Sequence, residues 1–151
     1  EGRRRIFDTP PVSHPMDASF DQSVDLLGVV LPSEALPGAG ETITFDLVWQ
    51  VREMPDTSLI RFVHLLSKDG LPVAQQDVVP CAGDCPVHTW LKDEVLIDPV
   101  SIPIPENLDS GDYQLVVGWY DAESFLRRPV RTGAEFDNNG LIALPIVIEI
   151  P

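Results

Sequence analysis

Two cysteines separated by three residues are the side chains with the most evident chemistry. They lie in the segment Val79-Pro80-Cys81-Ala82-Gly83-Asp84-Cys85-Pro86. Gly83 allows a tight loop in which the two sulfurs meet, so we expect a disulfide. Two alternatives stay open, namely free thiols and zinc ligation with His88 as a third ligand. The C-x3-C-x2-H spacing is not a usual zinc-finger pattern, and we predict no metal site.

Aromatic side chains could form a platform on which a sugar ring stacks. Trp49, Tyr113 and Trp119 alternate in phase with aliphatic residues, which favours a place in the core. Trp90 and Tyr120 are the better candidates for exposure, because Trp90 lies in the longest irregular segment. We therefore predict a ligand-binding site at Trp90, Tyr120 and His88.

His64 lies in a strongly apolar segment beside Phe62 and Leu66. It could serve as a ligand or a general base, since histidine titrates near neutral pH. The sequence favours a core histidine that is hydrogen-bonded to a neighbouring strand. Asp77 is a plausible partner, because a hairpin would bring its strand beside that of His64.

No motif for covalent catalysis accompanies the serines or the three histidines. Ser67, Ser101 and Ser110 lack the G-x-S-x-G context of a nucleophile elbow. A pair of carboxylates for glycoside hydrolysis could arise from any of the 24 acidic residues, which reflects their abundance alone. We predict that the domain is not an enzyme and that it needs no cofactor.

The segment Asp137-Asn138-Asn139-Gly140, preceded by Glu135, is rich in oxygen ligands. It resembles a calcium loop in composition but does not fit the twelve-residue EF-hand frame. A tight type I′ turn is the favoured interpretation, with calcium binding as the alternative.

The composition limits the classes of partner. Twenty-four acidic against ten basic residues give a net charge of −14, which disfavours nucleic acid and anionic lipid surfaces. Arg3-Arg4-Arg5 is expected to be a solvated tail, with a juxtamembrane remnant as the alternative. No segment approaches the roughly 20 apolar residues of a membrane span. Because the chain begins with Glu1, we expect it to derive from a longer polypeptide.

Alternating apolar residues predict the β-strands that would position these side chains. Fifteen prolines exclude long helices and favour many short strands. Residues 1–22 are expected to be a linker or lead-in, and residues 23–151 a single β-sandwich domain of two antiparallel sheets, immunoglobulin-like or jelly-roll. The predicted strands are Val24–Leu31, Thr42–Val51, Leu59–Leu66, Val73–Val79, Val95–Ile97, Val100–Ile104, Tyr113–Tyr120, Phe125–Val130 and Leu141–Ile150.

Several short motifs occur in a familiar order along residues 24 to 150. They include Leu47-Val48-Trp49, Phe62-Val63-His64-Leu65-Leu66, Ala74-Gln75-Gln76-Asp77, Gly111-Asp112-Tyr113 and Val117-Gly118-Trp119-Tyr120. Together they resemble the soluble β-sandwich region beside membrane glycosyltransferases of the dolichyl-phosphate-mannose mannosyltransferase type. The segment with Cys81 and Cys85 departs from that pattern. The catalytic residues of such enzymes belong to their membrane part, so none is carried over.

The resemblance implies a non-catalytic accessory domain outside the cytoplasm, tethered to a membrane through its parent chain. A disulfide would agree with that compartment. The expected partner is carbohydrate or the membrane part of the parent protein. Two other functions stay open: a structural or protein-interaction domain without a small ligand, and a glycoside-acting enzyme.

Overall fold

The computed structural model describes residues 3–133, 135–137 and 139–151 and consists of β-strands with one 3-10 turn, Val87–Thr89. It confirms an all-β sandwich. The ten described strands are β1 His14–Phe20, β2 Val24–Val30, β3 Thr42–Val51, β4 Leu59–Leu66, β5 Pro72–Val78, β6 Val95–Pro103, β7 Gly111–Asp121, β8 Val130–Thr132, β9 Glu135–Asp137 and β10 Leu141–Ile150. Strands β1 and β9 were not predicted.

The strands form two antiparallel sheets. The first has the order β6-β3-β2-β1-β8-β9, and the second has the order β10-β7-β4-β5. Period-two alternation drives this arrangement, because successive side chains of a strand point to opposite faces. In β4, Leu59, Val63 and Leu65 join the core between the sheets. Phe62 and His64, which are two residues apart, therefore lie on the outer face of the second sheet.

Three tryptophans meet in the core. The Trp119 ring lies 4.9 Å from Trp49 and 5.7 Å from Trp90, both in edge-to-face geometry. This arrangement is one that aromatic rings favour when buried. The predicted core placement of Trp49 and Trp119 is confirmed.

One buried ion pair joins the two sheets. Arg61 of β4 donates from Nε and Nη2 to the two oxygens of Asp98 in β6, at 2.7 and 2.9 Å. Asp98 also accepts the indole N–H of Trp49 and the backbone N–H of Cys81. These bonds satisfy a carboxylate that is fully buried.

The predicted lead-in over residues 1–22 is wrong for its second half. Residues 14–20 form β1, which pairs with β2 and β8 and buries Ala18 and Phe20 in the core. Met16, Ala18 and Phe20 alternate with polar residues, so the strand pattern was present. Pro15 obscured it. The strand accommodates this proline through a register shift between Pro15 and Ala18.

The arginine tail is likewise not merely solvated. Arg3 binds both carboxylate oxygens of Glu94 at 3.0 Å, and Arg5 binds one of them at 2.7 Å. Glu94 is only 1% exposed, and a buried carboxylate needs such cationic partners. The tail is therefore packed against the domain.

Two predicted strand assignments differ from the structure: one strand was predicted as two, and another was predicted to begin too early. Residues 95–103 form the continuous edge strand β6, which tolerates Pro99 because an edge strand pairs on one side only. The strand predicted at Phe125–Val130 begins only at Val130, and the preceding residues form a loop over the second sheet.

Candidate functional site

The cysteine loop is closed by the expected disulfide between Cys81 and Cys85, whose Cα atoms are 5.4 Å apart. Gly83 adopts φ +92°, a value that glycine readily accepts. The bridge excludes the alternatives of free thiols and zinc ligation by these two residues.

Trp90 is not the exposed platform that its irregular surroundings suggested. It is 2% exposed, and its indole N–H donates to the Cys85 carbonyl at 2.9 Å. The disulfide loop thus covers Trp90 and seats it against Trp119. The prediction of exposure was wrong because the segment is irregular in backbone but packed against the core.

His88 and Tyr120 do not form a joint site in this structure. His88 is exposed on the 3-10 turn, and it does not line the groove that contains Tyr120. A role for His88 in binding stays a prediction. The segment Asp137–Gly140, predicted as a tight turn with calcium binding as the alternative, includes Asn138, which lies outside the described residues. Both interpretations stay predictions.

Tyr120 lines a groove of about 270 Å³ on the outer face of the second sheet. We call it the aromatic groove. Strands β4, β5 and β7 supply most of its lining, and the loop after β7 supplies the rest. The lining side chains are Phe62, His64, Gln75, Asp77, Tyr120, Phe125 and Arg127.

Antiparallel register brings these residues together. Phe62 is paired with Asp77 of β5 on one side and with Gly118 of β7 on the other. His64 is paired with Gln75, two residues further along the same face. Since residues that differ by two share a face, the three strands present one continuous surface.

Phe62 forms the floor of the groove. It is 1% exposed although it lies outside the main core, because the Arg127 guanidinium covers its ring at 4.7 Å from the centroid. The neighbouring Gly118 makes room for the ring. A Cβ at that position would overlap the edge of Phe62 and the carbonyl oxygen of Gly140.

Two further rings extend the surface. Tyr120 stacks on Phe62 with centroids 6.0 Å apart, and Phe125 lies 6.1 Å from Tyr120. Phe125 is 71% exposed. The rings thus pass from a buried floor to an exposed rim.

The loop after β7 holds Phe125 in an unusual conformation. Its φ is +64°, which is a rare and strained value for a bulky residue. The Asp121 carboxylate accepts the N–H groups of Glu123 and Ser124, and its backbone N–H donates to the Leu126 carbonyl. The two backbone donors, Ser124 first, lower the pKa of Asp121. The short loop is therefore built to present an exposed aromatic ring at the groove.

The polar side of the groove centres on Asp77. Its carboxylate accepts the Tyr120 hydroxyl at 3.0 Å and the Gln75 amide at 3.4 Å. Partial burial, then the hydrogen bond and charge of Asp77, raise the pKa of Tyr120, so the phenol remains a donor. These side chains offer both donors and acceptors beside the rings.

His64 lies near Asp77 as predicted, but on the outer face instead of in the core. Its Nε2 is 3.5 Å from an Asp77 oxygen, so the predicted partner is confirmed, although the contact is long for a hydrogen bond. Burial lowers the pKa of His64; the Asp77 charge opposes this shift and the Arg127 charge adds to it. His64 therefore lines the groove with its Nε2 buried against Asp77.

A larger cavity of about 520 Å³ lies at Asp46, Phe45 and Val100. Burial, followed by the charge of Asp98, raises the pKa of Asp46. The described lining of this cavity has one aromatic residue, the buried Phe45, and no exposed ring comparable to Phe125. The aromatic groove is the better candidate because its rings and polar groups converge on the same opening.

Sequence reasoning identified Tyr120 and the proximity of His64 to Asp77 but missed Phe125 and Arg127. Both residues belong to a loop that was predicted as strand. The Asp121-Ala122-Glu123-Ser124 run, a typical side-chain-capped turn, was the available signal.

The structure defines a β-sandwich domain with an aromatic groove on the outer face of one sheet. No family model matches the chain, and no curated protein matches it. Among solved structures, the C-terminal domain of Wzt is similar, with a TM-score of 0.57 and 12% identity over 92% of this chain and 83% of that one. At this identity, the likeness shows a shared fold. The described residues contain no helix with the length and apolar character of a membrane span.

Proposed function

We propose that this domain is a non-catalytic carbohydrate-binding module, and that the aromatic groove is its binding site. The observation that carries the proposal is the series of neighbouring rings Phe62, Tyr120 and Phe125, which runs from a buried floor to an exposed rim. The apolar C–H face of a sugar ring is complementary to the electron-rich face of an aromatic ring. An exposed ring held in a strained loop fits a binding role better than a folding role.

The polar lining supports the same assignment. Sugar hydroxyls both donate and accept hydrogen bonds, and the groove offers the Asp77 carboxylate and the Gln75 amide. A concave surface on which aromatic rings and polar groups converge is typical of a small-ligand site.

The non-catalytic part of the proposal rests on the acid–base content of the groove. Glycoside hydrolysis by the usual route needs two carboxyl groups that flank the scissile bond. Asp77 is the single acidic residue among the described lining residues, and it is bound to the Tyr120 hydroxyl. A binding role is therefore the simpler use of this surface.

We further propose that the domain works outside the cytoplasm and is tethered to a membrane glycosyltransferase-like protein. The Cys81–Cys85 disulfide supports an oxidising compartment. The sequence resemblance to the β-sandwich region of such transferases supports the tether. Sequencing the parent gene tests this part, because multiple hydrophobic spans beside residues 1–151 are expected. A complete parent protein without such spans would contradict it.

An array of bacterial polysaccharides and defined oligosaccharides tests the binding proposal. We expect the domain to bind a subset of these glycans, and Tyr120→Ala and Phe125→Ala each to weaken binding at least fivefold. Phe7→Ala is the matched control, since Phe7 is also an exposed phenylalanine (48%) but does not line the groove. No glycan binding, or equal loss with Phe7→Ala, would contradict the proposal and favour a structural or protein-interaction domain.

A further inference from the structure

We infer that the aromatic groove selects glycans that carry a carboxylate, and that Arg127 recognises this group. The inference rests on the proposed carbohydrate-binding function. It concerns the charge class of the ligand, which the stacked rings alone leave undefined.

Arg127 has no ion pair with the side chains that the structure describes, whereas five of the eight arginines have one. Five arginines bind a carboxylate oxygen at 2.7–3.1 Å: Arg3, Arg5, Arg52, Arg61 and Arg128. Among the side chains that the structure describes, which exclude those of residues 134–138, no carboxylate is paired with the Arg127 guanidinium. The chain has 24 acidic and ten basic residues, and Arg127 is the cation that lines this groove.

The guanidinium is held in place while using few of its hydrogen-bond donors. It lies over the Phe62 ring at 4.7 Å, and its hydrogen bond within the described part of the chain is a long one of 3.5 Å from Nη1 to the Asn139 carbonyl. A guanidinium has five N–H donors in a rigid fork that matches the two oxygens of a carboxylate. Most of this fork is therefore available to a ligand.

Asp77 and Arg127 divide the lining of the groove into acceptor and donor parts. Asp77 would repel a ligand carboxylate, but it can accept hydrogen bonds from sugar hydroxyls. A uronic acid ring on Tyr120 and Phe125 could thus direct its hydroxyls to Asp77 and its carboxylate to Arg127.

Matched ligands and variants test the inference. The probes are oligogalacturonate and hyaluronan fragments, their methyl esters, neutral oligosaccharides and a sulfated heparin fragment. We expect at least one carboxylate-bearing glycan to bind tenfold more tightly than its methyl ester. Arg127→Gln should remove that preference, and Arg127→Lys should restore only part of it. Arg131→Gln makes the same charge change at an exposed arginine outside the groove and should retain the preference.

The possible failures are distinguishable. Binding only to neutral glycans, or equal affinity for acid and methyl ester, would overturn the inference and leave the binding module intact. Equal binding of sulfated and carboxylated fragments, unaffected by esterification, would show general anion attraction and also overturn it. No binding of any glycan would overturn both proposals.

Discussion

Single residues carry the electrostatic organisation of this domain. Arg61 and Asp98 are fully buried and hydrogen-bonded on nearly all sides, so their pairing fixes the two sheets and the cysteine loop relative to one another. A buried ion pair adds little net stability, but removal of one partner is strongly destabilising because the other charge stays buried without a counter-charge. Arg127, in contrast, is exposed and places its guanidinium at the aromatic groove.

Asp98→Asn should destabilise the domain by about 3–5 kcal/mol, because it leaves the buried Arg61 guanidinium without a counter-charge. Urea unfolding measures this change. Asp25→Asn is the control, since it breaks the exposed pair with Arg52 and should cost at most about 1 kcal/mol. Equal losses in the two variants would contradict the role assigned to the buried pair.

The stability of the domain should depend on pH through His64. Burial lowers its folded-state pKa below the unfolded value, with Asp77 opposing the shift and Arg127 adding to it. The unfolded chain then binds the proton more readily, so stability should decrease as the pH falls through roughly 6.5. Unfolding curves between about pH 7.5 and about pH 5 should show a shallower loss in His64→Gln. His88→Gln, at an exposed histidine, should keep the original slope; an unchanged slope in His64→Gln would reject this account.

At the scale of elements, β7 was the part most readily predicted. Its alternation placed Tyr113, Leu115, Val117 and Trp119 inward and Tyr120 outward, as the structure has them. Period two is a direct consequence of strand geometry, so it needs no tertiary information. The loop after β7 could not be predicted in this way, because its shape depends on capping bonds to Asp121 and on contacts with Phe62.

Irregular segments explain the main errors at the site. Trp90 looked exposed because loops usually lie at the surface, whereas here a disulfide loop packs it into the core. The partner of a residue across a sheet depends on register, which sequence alone defines only where a hairpin is short. The His64–Asp77 proximity was therefore predictable, and the approach of Arg127 to Phe62 was not.

Gly118→Ala should damage both stability and the groove. The added methyl group would overlap the Phe62 ring and the Gly140 carbonyl, so we expect a loss of about 1–3 kcal/mol and weaker glycan binding. Thermal unfolding and array binding measure the two effects. Gly38→Ala is the control, because nothing nearer than 3.8 Å would meet its Cβ. If Gly118→Ala keeps full stability and normal glycan binding, the close packing of Phe62 on Gly118 is not needed for either property.

At the scale of the whole molecule, the Cys81–Cys85 disulfide supports the packing of the core. It closes the loop that seats Trp90 on Trp119 and that bonds to Asp98. The loop-entropy relation gives about 2 kcal/mol for a ring of this size. Cys81→Ser with Cys85→Ser should therefore lower the free energy of unfolding by about 2 kcal/mol. Intact mass and urea unfolding, with and without reductant, check this; a reductant-insensitive mass and stability would contradict it.

The central claim is that carbohydrate binds on the outer face of the sheet β10-β7-β4-β5, at the aromatic groove. NMR titration of the ¹⁵N-labelled domain with a bound glycan tests it most directly. The account predicts that the amide signals of Phe62, His64, Tyr120 and Phe125 shift together and saturate, while those of the six-stranded sheet stay in place. Shifts confined to the six-stranded sheet or to the cysteine loop would contradict it.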